Sequence, residues 1–287
     1  VSPIDPALSI RAVALAVSDL ERSSEFYSRV LGLPLIAGDE HTVSLGADPA
    51  HPALVLSQIA QATHAPARST GLYHVAWLHP TRAALAETVR RIADARWRFD
   101  GAADHGVSEA LYLSDPDGLG IEVYVDRPRE QWQRPASGIG VEMVTAPLDV
   151  DDLLAQAADA PSAELTPGTR IGHVHLKVAD VPRADAFYRG ALGFEQQAEL
   201  PSAAFVSAGG YHHHVGLNSW ESRGGAPAPE SAPGLRRIEF ALSGPDAIDE
   251  LERAVADAPS ATNTAREPDG SLALRDPDGQ LLAFARG

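Results

Sequence analysis

Three consecutive histidines, His212-His213-His214, lie in a run from Tyr211 to Leu217 that reads as a strand. Imidazole is costly to bury without a partner, is the commonest side-chain ligand for a transition metal, and changes charge near neutral pH. The run therefore raises metal ligation or acid/base chemistry before the other eight of the 11 histidines do. In a regular strand His212 and His214 share one face and His213 faces away. A role for His213 beside the others then requires a bulge, which Gly209-Gly210 just upstream can supply.

The chain has no cysteine, which excludes disulfides, thiol nucleophiles and Cys-ligated zinc or iron–sulfur sites. A net charge of −16 argues against nucleic acid and anionic membrane as partners. A hydrophobic content of 44% supports a real core, and 287 residues suggest two domains. Val1 to Ser9 shows no basic-then-apolar signal pattern, and no apolar run nears the ~20 residues of a membrane helix. The expectation is a soluble cytoplasmic protein.

The elements that must position any site come in duplicate. Asp19-Leu20, Phe26-Tyr27 and Leu31-Gly32 recur as Asp180-Val181, Phe187-Tyr188 and Leu192-Gly193. Asp115-Pro116-Asp117-Gly118 recurs as Asp276-Pro277-Asp278-Gly279, and both motifs share an offset of 161 residues. Two motifs at one offset indicate two homologous domains, at 8–128 and 169–287, with a Pro- and Asp-rich connector at 129–168. Ala12–Val17 and Val174–Val178 read as strands. Asp19 and Asp180 read as N-caps of the helices that follow, the first presenting Leu20, Ser24, Tyr27 and Leu31 on one face and ending at Gly32. Thr81–Ala95 and Pro245–Ala258 read as second helices, and a short helix is expected near Asp151–Asp159. Each Asp-Pro-Asp-Gly is turn chemistry, joining Ala110–Leu113 to Ile121–Val125 and Leu272–Leu274 to Leu281–Phe284 as hairpins.

These motifs resemble the vicinal oxygen chelate superfamily, which includes glyoxalase I, extradiol dioxygenases and bleomycin-resistance proteins. The resemblance spans nearly the whole chain. It is nearest the two-domain bacterial catechol 2,3-dioxygenase-like proteins, through His105-Gly106-Val107-Ser108-Glu109-Ala110-Leu111-Tyr112, Ile121-Glu122-Val123-Tyr124, Asp126-Arg127-Pro128-Arg129 and Gly209-Gly210-Tyr211-His212-His213-His214. It implies an α+β fold of tandem domains, each of two paired βαβββ units in cupped mixed sheets, with metal ligands at fixed strand positions. The first-strand position, seven before the capping Asp, holds His173 in the second domain and Ala12 in the first. The strand after Gly-Leu holds His74 in the first domain and Arg237 in the second. The closing strand holds Glu122 in the first and Ala283 in the second. Neither domain keeps a full set, but His74, Glu122 and His173 together make the two-His, one-carboxylate set of mononuclear non-haem iron. One metal per chain, built between the domains, is expected, with the Ala12, Arg237 and Ala283 place empty.

Each residue has a plainer reading. His74 could be a core histidine on a carbonyl, and Glu122 could be paired with Arg127 or Arg129, since a buried carboxylate needs a partner. His175 shares parity with His173 and could replace it. Tyr112 could be a hairpin aromatic. His41, His51, His64 and His79 are read as surface residues.

Three protein ligands on an octahedral ion leave two positions for the oxygens of a catechol-like diol and one for O2. The resemblance then implies an extradiol ring-cleaving dioxygenase using Fe(II), with Mn(II) as an alternative. His213 is the acid/base near O2, Tyr112 contacts the substrate hydroxyl, and His105 supports Tyr112, although its spacing to Tyr112 is two residues short of the family's. If His214 is a fourth ligand, Zn or Ni and a glyoxalase-type isomerase or lyase follow instead. A non-catalytic aromatic-binding protein is the third reading. A small aromatic diol and O2 are the expected partners. Edge strands could pair copies into a homo-oligomer.

Overall fold

The computed structural model describes residues 2–48, 50–158, 162–256 and 262–287. Sixteen strands run in chain order: β1 (Ser9–Val17), β2 (Leu35–Gly38), β3 (Thr42–Leu45), β4 (Leu54–Gln58), β5 (Gly71–His79), β6 (Phe99–Asp104), β7 (Ser108–Ser114), β8 (Gly120–Asp126), β9 (Arg170–Lys177), β10 (Glu195–Leu200), β11 (Ala203–Ser207), β12 (Val215–Asn218), β13 (Gly234–Leu242), β14 (Thr262–Arg266), β15 (Leu272–Arg275) and β16 (Leu281–Arg286). Five helices interleave with them: α1 (Leu20–Glu25), α2 (Arg82–Asp94), α3 (Val150–Leu154), α4 (Val181–Gly190) and α5 (Pro245–Ala256). Four βαβββ units result. The expected ends of the second-domain helix (257–258) and of the connector helix (Asp159) fall outside the described residues.

The caps follow the sequence. The Asp19 carboxylate accepts from the Arg22 amide and Asp180 from Arg183, satisfying amides that the first helical turn leaves free. A π-turn over Phe26–Val30 extends α1, and Gly32 then turns the chain at φ +88°.

The two repeated motifs recur together because they touch. The Tyr27 hydroxyl donates to Asp115 at 3.1 Å, and Tyr188 donates to Asp276 at 3.1 Å. Arg22 pairs with Asp117 and Arg183 with Asp278. Each helix is thereby fastened to the hairpin turn of its own sequence half.

The sheets, by contrast, cross the halves. One eight-stranded sheet has the order β14-β15-β16-β13-β1-β4-β3-β2, and the other β10-β11-β12-β9-β5-β8-β7-β6. The two units of 8–128 therefore do not share a sheet. Each pairs antiparallel with a unit of 169–287, through β1 with β13 and β5 with β9. The expected tandem βαβββ units in mixed sheets are present, and the pairing of units runs between the two sequence halves. A core of Leu15, Tyr27, Trp77, Phe187, Phe240 and Phe284 lies among these layers, all almost wholly buried.

The connector is more than a spacer. Ala146 bridges to Asp104, the Val141 amide donates to the Gln197 carbonyl at 2.9 Å, and the Leu165 amide to that of Gly32 at 2.8 Å. It closes one side of the cavity described next.

Candidate metal centre

The concave face of the second sheet takes side chains from three adjacent strands. His173 on β9 and Glu122 on β8 are both in register with Ala76 on β5. Paired residues across a sheet share a face, as do i and i+2 along a strand. His173, Ala76, Glu122 and His74 consequently all project the same way. Ala76 is the small floor over which the three longer side chains meet.

They meet closely. His74 Nε2 and His173 Nε2 stand 3.0 and 3.1 Å from Glu122 Oε2 and 3.3 Å from each other. All three residues are buried. Donors about 2.1 Å from one ion and at right angles lie roughly 3.0 Å apart. The spacing therefore fits three facial positions of a single divalent metal, and the nitrogen and oxygen donor set suits a first-row ion. Burial works against the Glu122 carboxylate, but the His173 and His74 imidazoles outweigh it and hold its pKa well below the usual range. Burial lowers His173 to about 4, against the pull of Glu122. An anionic oxygen and a neutral imidazole are the forms that bind metal.

The plainer readings fail for this set. Arg127 bonds Asp104 at 2.6 Å and Glu109 at 2.9 Å, and Arg129 lies over the Trp132 and Tyr211 rings. Neither reaches Glu122, whose partners are the two imidazoles. His175 does not join the convergent donors. Its Nε2 lacks a hydrogen-bond partner among the described residues, and it packs against Tyr73, Phe205 and Trp220. Gly216 makes room for it, because a Cβ there would come within 2.8 Å of the His175 ring.

The histidine run is not a strand. β12 begins only at Val215, and Gly209 and Gly210 take φ of +60° and +66°, a region that glycine enters without strain. This irregular turn lets the three rings diverge. His213 faces the cavity and packs against His173, with centroids 4.0 Å apart and ring planes inclined at 45°. His214 turns back, its Nδ1 accepting from the Ala208 amide at 3.2 Å and its ring against Tyr211. His212 is fully buried on Asp126.

A further pair flanks the centre. His105 Nδ1 bonds the Val144 carbonyl at 2.7 Å and must donate, since a carbonyl only accepts. In the neutral ring its Nε2 is then the acceptor for the Tyr112 hydroxyl, 2.7 Å away. His105 and Tyr112 thus come within hydrogen-bond reach although their spacing in sequence is short. Burial and the nearby Glu122 charge push the Tyr112 pKa up, so the phenol keeps its proton at neutral pH. His79, read as a surface residue, is instead buried. It bonds the Tyr124 and Trp77 carbonyls and the Thr88 hydroxyl, and burial lowers it to about 4.

The cavity over the centre holds about 760 Å³ and is lined by His74, Glu122, His173, Tyr112, His213 and Trp220 among others. Sequence reasoning missed Phe205, Trp220 and the Met143–Thr145 stretch of the connector. Phe205 lies on β11 and the others in loops, and no sequence pattern marks residues that become a wall only after folding.

The pseudo-symmetric place on the other sheet is filled. Glu239, in register with both Ala12 and Ala283, stands where Ala76 forms the floor of the first. Arg237 bonds both oxygens of Glu267, at 2.9 and 2.6 Å. Arg237→Ala is accordingly expected to leave metal content unchanged and to cost at most about 1 kcal/mol of stability. Elemental analysis and a melting curve check both.

Paired βαβββ units with two imidazoles and a carboxylate gathered in the hollow of one sheet define the class: a vicinal oxygen chelate fold with a candidate mononuclear centre. The chain belongs to the Glyoxalase/Bleomycin resistance protein/Dioxygenase superfamily, whose sequence model matches residues 9–123 and 170–284. It is 41% identical over 274 residues to the "Catechol-2,3-dioxygenase" of Bacillus subtilis (strain 168), covering 94% of each chain. Solved structures with the same fold include a putative dioxygenase from Bacillus subtilis (TM-score 0.66, 14% identity, 99% of this chain and 86% of that one). Glyoxalase I from Zea mays is another (TM-score 0.58, 16% identity, 98% and 92%). Among the described residues, no helix is long and apolar enough to cross a membrane.

Proposed function

We propose that the protein is an extradiol-type ring-cleaving dioxygenase acting on a catechol-like aromatic diol, with one divalent metal held by His74, Glu122 and His173. The observation that carries this reading is the meeting of three donor atoms within 3.3 Å of one another, taken from both sequence halves. Fe(II), or Mn(II) with the same ligand set, would supply the coupling between a bound diol and O2 that neither has alone.

The protein groups have separable tasks. Tyr112, kept protonated with its hydrogen toward His105, has its oxygen lone pairs free to accept from a diol hydroxyl at the cavity floor. His213 presents an imidazole beside His173, where it can take a proton from the substrate and return it to a product oxygen. Phe205 and Trp220 give the cavity aromatic walls against which a planar ring can pack. His214, engaged with the Ala208 amide, does not join the convergent donors, which favours three open positions over the four-ligand isomerase or lyase.

The test is anaerobic loading with Fe(II), then addition of catechol and oxygen. A yellow ring-opened product is expected. Turnover of hemithioacetals with Zn or Ni, and none of diols with Fe(II), would favour the isomerase instead. His213→Gln is expected to lower kcat by about 10²-fold, the lower end of what a positioned acid/base contributes. Metal content should be retained, as steady-state kinetics and elemental analysis on one preparation would establish.

A further inference from the structure

We infer that Asp126 and His212 are positioning residues that fix the tautomer of His213, leaving its Nε2 bare toward the cavity as a proton acceptor. The inference rests on the reading of His213 as acid/base, but it can be tested without turnover.

The geometry is a chain of three side chains. Asp126 Oδ1 lies 2.8 Å from His212 Nε2, and His212 Nδ1 lies 2.8 Å from His213 Nδ1. His212 is fully buried, with Trp132 and Tyr124 edge-on to its ring. A carboxylate offers only acceptors, so His212 must donate from Nε2. In neutral His212 the other nitrogen is then a lone pair. Two ring nitrogens 2.8 Å apart need one proton between them, and that proton must sit on His213 Nδ1. What remains on His213 is an unprotonated Nε2, which makes no hydrogen bond to any described residue, on a buried ring that lines the cavity.

Asp126 has a second donor. The Tyr211 hydroxyl donates to the same Oδ1 at 3.2 Å and is 2.7 Å from the Tyr124 hydroxyl. The same carboxylate oxygen thus takes two donors, the His212 Nε2–H and the Tyr211 hydroxyl. Asp126 ends β8 and the histidine turn precedes β12, so the chain also joins the two sequence halves. A bare nitrogen accepts the proton of an incoming diol hydroxyl, whereas an Nε2–H would present a donor to it. Which atom carries the hydrogen therefore decides whether His213 enters the reaction as base or as acid.

The experiment is a long-range ¹H–¹⁵N spectrum of the full-length chain, labelled at histidine nitrogens and freed of metal with a chelator. The His213 signals are identified by their loss in His213→Gln. The expected result is one tautomer with His213 protonated at Nδ1 and bare at Nε2, and His212 protonated at Nε2. Asp126→Leu, close in size but without an acceptor, should mix the His213 tautomers and lower kcat of the metal-loaded enzyme about tenfold or more at unchanged metal content. Tyr211→Phe, which removes the second donor on Asp126 and the hydroxyl partner of Tyr124 but leaves the His212 bond in place, should leave the tautomer as it is. A wild-type His213 protonated at Nε2, or an Asp126→Leu protein with the wild-type tautomer, would overturn the inference. Should Asp126→Leu fail to fold, the wild-type spectrum alone still decides. The expected tautomer in a protein that cleaves no diol would count against the proposed reaction and not against this chain of bonds.

Discussion

Glu122→Gln is expected to give a folded protein that binds no metal and cleaves no diol. The change keeps shape and length but removes the anion on which both imidazoles converge. Losing a ligand should cost more than the roughly 10–100-fold that changes behind the ligands typically cost. Stability should separate the two proteins without any substrate. A ligand that binds only the native state adds about 2.7 kcal/mol at a hundred times its Kd, so the wild type should melt higher as Fe(II) or Mn(II) is added under anaerobic conditions. The variant should melt at one temperature throughout. Without metal the variant should be less stable at neutral pH, because the two imidazoles that hold the Glu122 carboxyl well below its usual range lose their anionic partner. Calorimetry with and without metal reads both effects, and a metal-dependent rise in the variant would remove Glu122 from the centre.

The second large effect concerns the chain rather than the site. Cutting the connector after Gly138 should leave two fragments that cannot fold singly as monomers, yet assemble when produced together. The reason is the sheet order. β1 and β5 belong to the first fragment, and their neighbours β13 and β9 to the second. The seams bury Val13, Leu15, Val75, Trp77, Ile171, Val174, Leu176 and Ile238. At about 1.5–3 kcal/mol per large apolar side chain, exposing these eight costs roughly 12–24 kcal/mol, comparable to or above the roughly 5–15 kcal/mol by which a domain is usually stable. Cooperative unfolding should therefore appear only in the mixture, along with one metal site per pair. A monomeric fragment with its own sharp melting transition would contradict the crossed sheets. The Tyr27–Asp115 and Tyr188–Asp276 bonds lie within single fragments and are too few to replace the seams.

How much of this was legible beforehand follows from what each feature depends on. The duplication was readable because Tyr27, Asp115 and their copies are constrained by contacts with one another, so their spacing persists. The three convergent donors were legible because His74, Glu122 and His173 sit at equivalent register positions, where the other sheet has Arg237, Ala283 and Ala12. Which unit shares a sheet with which was only half readable. Strand patterns record burial, and a βαβββ unit buries the same faces whichever copy it pairs with. The histidine run misled as a strand because its apolar flanks, Tyr211 and Val215 to Leu217, are buried as strand residues would be, while the turn is set by two glycines with positive φ. His79 looked like a surface residue because its partners, the Tyr124 carbonyl and the Thr88 hydroxyl, come from elements remote in sequence. Trp220 and Phe205 carry no pattern of their own and became part of the site only through folding.

The most direct test of a single centre shared between the halves is the metal content of anaerobically prepared His173→Ala set beside the wild type. One ion per chain is expected in the wild type, and none in the variant, although His74 and Glu122 are untouched and lie in the other half. A His173→Ala protein that keeps its full complement of metal would mean that the first half binds the ion alone, and the account of a jointly built centre would be wrong.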